Sequence, residues 1–287
     1  ALAANSSGGY NTALGASALN SNTTASNNTA VGYQAGYAVT TGAYNIAIGG
    51  SALATSATGY FQTAVGYGAL TNSNYTTNVY AYNTAVGYNA GAANTTGKVT
   101  AFGASVLQAN TTGINNTAVG GATDAAGASL QNNTTGGHNT ALGNVSLRSN
   151  TTASFNSAVG FSALALNTTG ATNCAFGYQA LGSNTTAGSN TALGYQALYA
   201  NTTGTQNVAV GSLAGDAMTT GAQNTALGHG SLGANTTGVE NVALGTGAGE
   251  RITTGDDNIC IGFVAGSHNI YLATGTGNTI IGSYADV

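Results

Sequence analysis

A five-residue phrase, Asn-x-Ala-aliphatic-Gly, opens at Asn11-Thr12-Ala13-Leu14-Gly15 and recurs to the end of the chain. Its glycine falls at Gly15, Gly32, Gly49, Gly66, Gly87, Gly103, Gly120, Gly143, Gly160, Gly177, Gly194, Gly211, Gly228, Gly245, Gly262 and Gly282, sixteen copies in all, most of them separated by one and the same interval. A fixed period of this length means one structural turn repeated, because a single turn cannot bury its own apolar face and must stack on the next. The expected fold is all-β, a parallel β-solenoid (a β-roll or β-helix) of about 16 coils with about 17 residues per coil. At ~4.8 Å per coil the stack would run to roughly 75–80 Å, so residues 1–287 read as a single rod.

Comparison among the copies shows what each position must do, counting from the glycine as zero. Position −1 is Leu, Val, Ile or Phe in every copy, and position −3 is Thr, Val or Ile except at Ser157 and Cys174. Two such ranks separated by two residues describe one face of a strand, expected to point into the coil. Position −2 is Ala except at Cys260 and Ile280, and this restriction suggests an outer face approached closely by another backbone. Ala13, Ala30, Ala192 and Ala209, with Gly194 and Gly211, are therefore expected to pack against a neighbouring chain. Position −4 is Asn in all copies but Gln62 and Val99, which suits a stacked amide ladder. A Leu rank four residues after the glycine closes the core, with Gly in its place where a tighter turn is needed. Asn-Thr-Thr then reads as a second short extended segment.

Three intervals exceed the common period, giving inserted loops near 71–82, 124–132 and 267–277. The first carries Tyr75, Tyr80 and Tyr82 beside Asn72 and Asn74, a set that could stack on a sugar ring or pack on a neighbour. The Asn-Thr-Thr triplets at Asn22, Asn94, Asn110, Asn133, Asn150, Asn167, Asn184, Asn201 and Asn235 are also N-glycosylation sequons, if the chain passes through a competent secretory pathway.

Charged residues make up only 3% of the chain, and the basic ones are Lys98, Arg148 and Arg251. So few cations argue against nucleic acid as a partner, and no apolar stretch approaches the ~20 residues of a membrane span. The acids are Asp124, Asp216, Glu240, Glu250, Asp256, Asp257 and Asp286, of which only Asp256 and Asp257 are close in sequence, and these alternate in direction. His138, His229 and His268 are scattered without ligand spacing. Gly245-Thr246-Gly247-Ala248-Gly249 precedes no credible helix, so it is read as repeat glycines and not a phosphate loop. No enzyme, cofactor or metal is expected. Cys174 and Cys260 lie five coils apart, about 24 Å, too far for a disulfide, and both are expected to be buried small hydrophobes.

The run Ala30-Val31-Gly32-Tyr33-Gln34-Ala35, repeated as Ala192-Leu193-Gly194-Tyr195-Gln196-Ala197, resembles the head repeats of trimeric autotransporter adhesins of the YadA type. It is still more similar to the Asn-Thr-Ala-Val-Gly-Tyr-Gln-Ala-Leu arrays of phage tail-fibre-like proteins. The resemblance implies a left-handed coil, three chains side by side, and a place on a virion or cell surface. The YadA-type repeat is shorter, so the second half of the coil differs here. Ala1-Leu2 matches Ala18-Leu19 of the next coil, so the chain reads as a segment of a longer repetitive protein. The expected function is that of a structural and adhesive extracellular fibre segment acting as a rigid rod and partnering itself, with cell-surface glycans as further partners. The alternatives are a carbohydrate-binding module built on the Tyr loop, or an ice-binding or other surface-binding solenoid.

Overall fold

The computed structural model describes residues 1–75, 79–122, 127–268 and 270–286, with the side chains of Val79, Ile270 and Tyr271 outside that description. Asp124 and parts of all three inserted loops lie outside the described residues. The chain forms two compact units, Ala1–Thr152 and Ala153–Val287. Each is a parallel β-solenoid in which hydrogen bonds join equivalent positions of successive turns, as from Asn45 to Asn28 in the first unit and from Asn190 to Asn173 in the second. Among the described residues there is no α-helix, and therefore none long and apolar enough to cross a membrane.

In the first unit the repeat strands are Thr12–Leu14, Thr29–Val31, Ile46–Ile48, Thr63–Val65, Thr84–Val86, Val99–Phe102, Asn116–Val119 and Thr140–Leu142. In the second they are Ser157–Val159, Cys174–Phe176, Thr191–Leu193, Val208–Val210, Thr225–Leu227, Val242–Leu244, Ile259–Ile261 and Thr279–Ile281. Pairing is in register, so that Ala192 lies beside Ala209 and Leu193 beside Val210. A coil tolerates extra residues because the strands keep this register across an insertion, as Thr63–Val65 and Thr84–Val86 do.

Each repeat strand is only three or four residues long, and the rest of the coil is turn and bend. The second strand expected at Asn-Thr-Thr is absent from the described coils. One further pair, Gly59–Tyr60 with Val79–Tyr80, forms beside the first insertion. After the strand, the chain turns through residues of positive φ at positions +2 and +4, such as Gln196 (φ 51°) and Leu198 (φ 51°). A left-handed Leu is strained by roughly 1–2 kcal/mol, yet burying its side chain returns about 1.5–3 kcal/mol, so burial wins. Leu19, Leu53, Leu70, Leu107, Leu130, Leu147, Leu164, Leu181, Leu198 and Leu232 are all fully buried.

The direction of the strand is the main correction to the sequence reading. Ala30, Ala192 and Ala209 at position −2 point inward and are buried, whereas Leu193 at position −1 is 45% exposed and Val208 at −3 is 41% exposed. The Leu at +4 explains it. Where +4 is Gly36, an added Cβ would lie 3.8 Å from the Ala30 Cβ, so the +4 side chain occupies the space directly over the −2 residue. Only Ala leaves it room. At the two exceptions the relation inverts, because Cys260 and Ile280 close on Gly266, which has no side chain. Cys260 is accordingly buried and Cys174, at −3, exposed; both are free thiols.

The repeat glycine is explained within the chain as well. Gly194 adopts φ +141°, and a Cβ there would sit 2.4 Å from the carbonyl oxygen of Gly211 in the next coil. The close approach belongs to the next coil of the same chain, so neither Gly194 nor Gly211 requires a neighbouring molecule. Ala13, partly exposed in the first full coil, belongs to the same inward rank.

Candidate functional site

Two amide ladders run through the interior. At position −4, the backbone N–H of Asn190 donates to Asn173 Oδ1 (3.0 Å), that of Asn207 to Asn190 Oδ1 (2.9 Å), and each Nδ2 donates to a carbonyl. At position +7, Asn184 Nδ2 donates to Asn167 Oδ1 (2.8 Å) and to the Ala187 carbonyl (3.0 Å). The first ladder is legible in the sequence as a rank of Asn; the second lies where a short extended segment and sequons were expected. Local substitutions keep the amides partnered. Gln62, longer than the Asn it replaces, receives the Ser73 hydroxyl and donates to Ser56 Oγ, both standing where other coils have Asn.

The second ladder overturns the glycosylation expectation. Asn22, Asn94, Asn110, Asn133, Asn150, Asn167, Asn184, Asn201 and Asn235 are all fully buried. A glycan would have to attach at Nδ2, and in Asn184 or Asn201 that atom already makes two internal hydrogen bonds. The folded coil has no space for a sugar there. The adjoining Thr hydroxyls instead tie coils together, as Thr202 Oγ1 does to the Thr219 carbonyl at 3.1 Å.

The Tyr set divides. Tyr75 is buried, donates to the Gly97 carbonyl (2.8 Å) and receives Asn83 Nδ2 (3.0 Å), and burial raises its pKa above the ordinary phenol value. It is a core residue and not part of a ligand surface. Tyr80 and Tyr82 are exposed and join Tyr44, Tyr60 and Phe61 in one aromatic cluster, with Tyr44 and Tyr82 stacked on either side of Phe61 at 5.1 and 5.6 Å. Phe61 thus has a ring stacked on each face, while Tyr80 meets its neighbours tilted or edge-on and, with Tyr44 and Tyr82, stays largely open to solvent.

The outer strand face carries the most extensive regular array of exposed aliphatic side chains. In the second unit, positions −1 and −3 present Val159, Phe176, Leu193, Val210, Leu227 and Leu244 with Ser157, Cys174 and a series of Thr and Val partners, and no ionisable group except the Cys174 thiol. Eight strands at about 4.8 Å, each about 10 Å long, make a strip on the order of 400 Å2, within the size range of the largest apolar patch on a monomer.

Ionisable residues that seemed scattered also meet. In the second unit, Asp216, His229, Glu250, Arg251 and His268 line one open notch of about 610 Å3, together with Leu213, Gly230, Gly233, Val264 and Ser267. They share ranks +1, +5 and +6 of successive coils, which sequence distance conceals and the repeat period reveals. Burial raises the pKa of Asp216 above the usual carboxylate range. Elsewhere, the neighbouring Asp257 carboxylate, as hydrogen-bond acceptor and as a like charge, raises that of the exposed Glu240. Among the described residues no three His, Cys, Asp or Glu are placed to hold a metal ion. Comparison with known proteins finds no family model, no curated relative and no solved structure that matches the chain.

Proposed function

We propose that this chain is a structural segment of an extracellular fibre that associates with copies of itself through its outer strand face. The observation that carries the reading is the uncovered aliphatic rank at position −1, with Leu193 (45%) and Leu227 (42%) exposed on neighbouring stretches of the stack. Apolar strips of this regularity mark association surfaces. The interior supports the same role, since stacked amide ladders and in-register strands make a stiff unit with little backbone open to proteases. Likeness to trimeric adhesin heads and tail-fibre arrays makes three the expected number of chains, a left-handed winding the expected coil, and a cell or virion surface the expected location.

Light scattering after size exclusion tests the proposal. The full chain is expected to elute as a stable oligomer, and Leu193→Lys with Leu227→Lys to shift it to monomer while the fold, read by circular dichroism, persists. A monomeric parent chain at micromolar concentration would overturn it.

A further inference from the structure

We infer that the notch on the second unit is a binding site for an uncharged, polyhydroxylated ligand, one sugar unit of a neutral glycan. The argument begins with scarcity. The whole chain holds 10 charged residues and 3 His, yet five of these 13 side chains converge on one notch, so the convergence calls for a cause other than solubility.

Two glycines open the notch. Position +2 carries a side chain in most coils, including Gln179, Gln196 and Leu213, all at positive φ. At Gly230 the same backbone (φ +63°) carries none, and an added Cβ would meet nothing within 4 Å. Gly233 clears the next part of the floor, and a Cβ there would come 3.5 Å from Asp216 Oδ1. On the far side, Glu250 Oε2 lies over Gly247, 3.4 Å from the Cβ that residue lacks. Asp216 and Glu250 occupy the same rank two coils apart, about 9.6 Å along the stack. That leaves room for a polar ring accepting and donating hydrogen bonds of about 2.7 Å on both sides.

The lining selects the ligand class. Carboxylates accept hydrogen bonds from hydroxyl groups, whereas Arg251 and the imidazoles of His229 and His268 donate or exchange them, so both halves of a hydroxyl are matched. An anion would face two carboxylates, and a cation would have to lie beside Arg251. A neutral polyol meets neither penalty. Leu213 and Val264 add small apolar surfaces suited to the C–H faces of a sugar. The site lies beyond the glycine rank, off the strand face proposed for self-association, so either proposal can fail without the other.

The test is saturation-transfer NMR of the full chain with neutral gluco-, galacto- and manno-oligosaccharides, and with sialylated and sulfated ones for contrast. At least one neutral oligosaccharide is expected to show transfer. Gly230→Gln, which places in the notch a residue that the same rank already accepts at Gln196, is expected to weaken binding about tenfold or more without changing Tm. Asp216→Asn, at a half-buried position, and Glu250→Gln, at an exposed one, are expected to weaken it as well. Absence of transfer from every neutral oligosaccharide, transfer from charged ones alone, or binding that survives Gly230→Gln unchanged would overturn the assignment.

Discussion

Two kinds of coil in the second unit fill the same interior in different ways. Between Gly177 and Gly194 the core is Leu181 at +4, and the amide rank at +7 is Asn184. Between Gly211 and Gly228, position +4 is Gly215 and position +7 is Met218, whose Cε reaches to 3.4 Å from where a Gly215 Cβ would stand. Gly249 and Ile252 repeat the exchange, and Gly36 with Val39 repeats it in the first unit. The interior therefore has one side-chain-sized space per coil, which either rank can fill; in the coil that has Gly91 and Asn94 at these ranks, it is Val99, standing in place of Asn at −4 of the next coil, that reaches within 3.7 Å of where a Gly91 Cβ would stand. The cost appears in the ladder. Asn22, Asn201 and Asn235 are each followed, one coil on, by Val39, Met218 or Ile252 in place of Asn, and Asn235 is also preceded by Met218. Among the described residues, Asn22 Oδ1, Asn201 Oδ1 and both side-chain polar atoms of Asn235 are the buried polar atoms left without a partner. The regular coil satisfies core and ladder together, and the variant coil satisfies the core alone.

The comparison holds only if everything outside +4 and +7 is equivalent, and the glycine rank tests this with the largest effect. A Cβ at Gly194, in a coil of the first kind, would lie 2.4 Å from the Gly211 oxygen. A Cβ at Gly211, in a coil of the second kind, would lie 2.6 Å from the Gly228 carbonyl. Backbone cannot yield as a flexible side chain can, so Gly194→Ala and Gly211→Ala are each expected to cost more than about 4 kcal/mol, measured by denaturant unfolding. A large loss at one and not the other would break the equivalence.

Next in size are truncations of the filler itself. Leu181→Ala and Met218→Ala each empty the same space, and both are expected to cost about 2–5 kcal/mol. If Met218→Ala cost less than about 1 kcal/mol, well below that range, Met218 would not be the counterpart of the Leu rank, and Gly215 would mark a loosely packed coil.

Much of this fold was legible because a repeat exposes its own constraints. The period fixed the parallel stack, and the Asn rank at −4 fixed one ladder. The strand face was read backwards, and the reason is physical. Alternation in a three-residue strand assigns two residues to one side and one to the other, and aliphatic residues ordinarily go inside. Here the interior beside the strand is already filled by the +4 Leu reaching across, which leaves the strand only an Ala-sized place. The correlated exchanges were present in the sequence: Gly215 with Met218, Gly249 with Ile252, Gly266 with Cys260. They show that +4 shares a space with +7 and −2, which an account of each rank by itself does not reveal. The notch was hidden for a related reason, since Asp216 and His268 are remote in sequence and neighbours only once ranks are aligned.

The smallest expected effect is a gain, and it tests the comparison most directly. Gly215→Leu alone would crowd Met218 and is expected to destabilise, while Met218→Asn alone would leave the core open. Together they convert the variant coil to the regular kind. The introduced amide would stand one coil from both Asn201 and Asn235, positioned to donate to Asn201 Oδ1 and to accept from Asn235 Nδ2, two of the atoms now without partners. Asn235 Oδ1 would stay unpaired because Ile252 still follows it. Each buried polar atom given a partner recovers about 1–3 kcal/mol, reduced by the left-handed strain of the new Leu and the loss of the Asn224 contact to Met218 Sδ (3.6 Å). The double variant is expected to be about 1–2 kcal/mol more stable than the parent, seen as a raised denaturant midpoint at unchanged m-value. A double variant no better than the worse single would show that the two ranks do not fill one space, and the distinction between the two kinds of coil would fall with it.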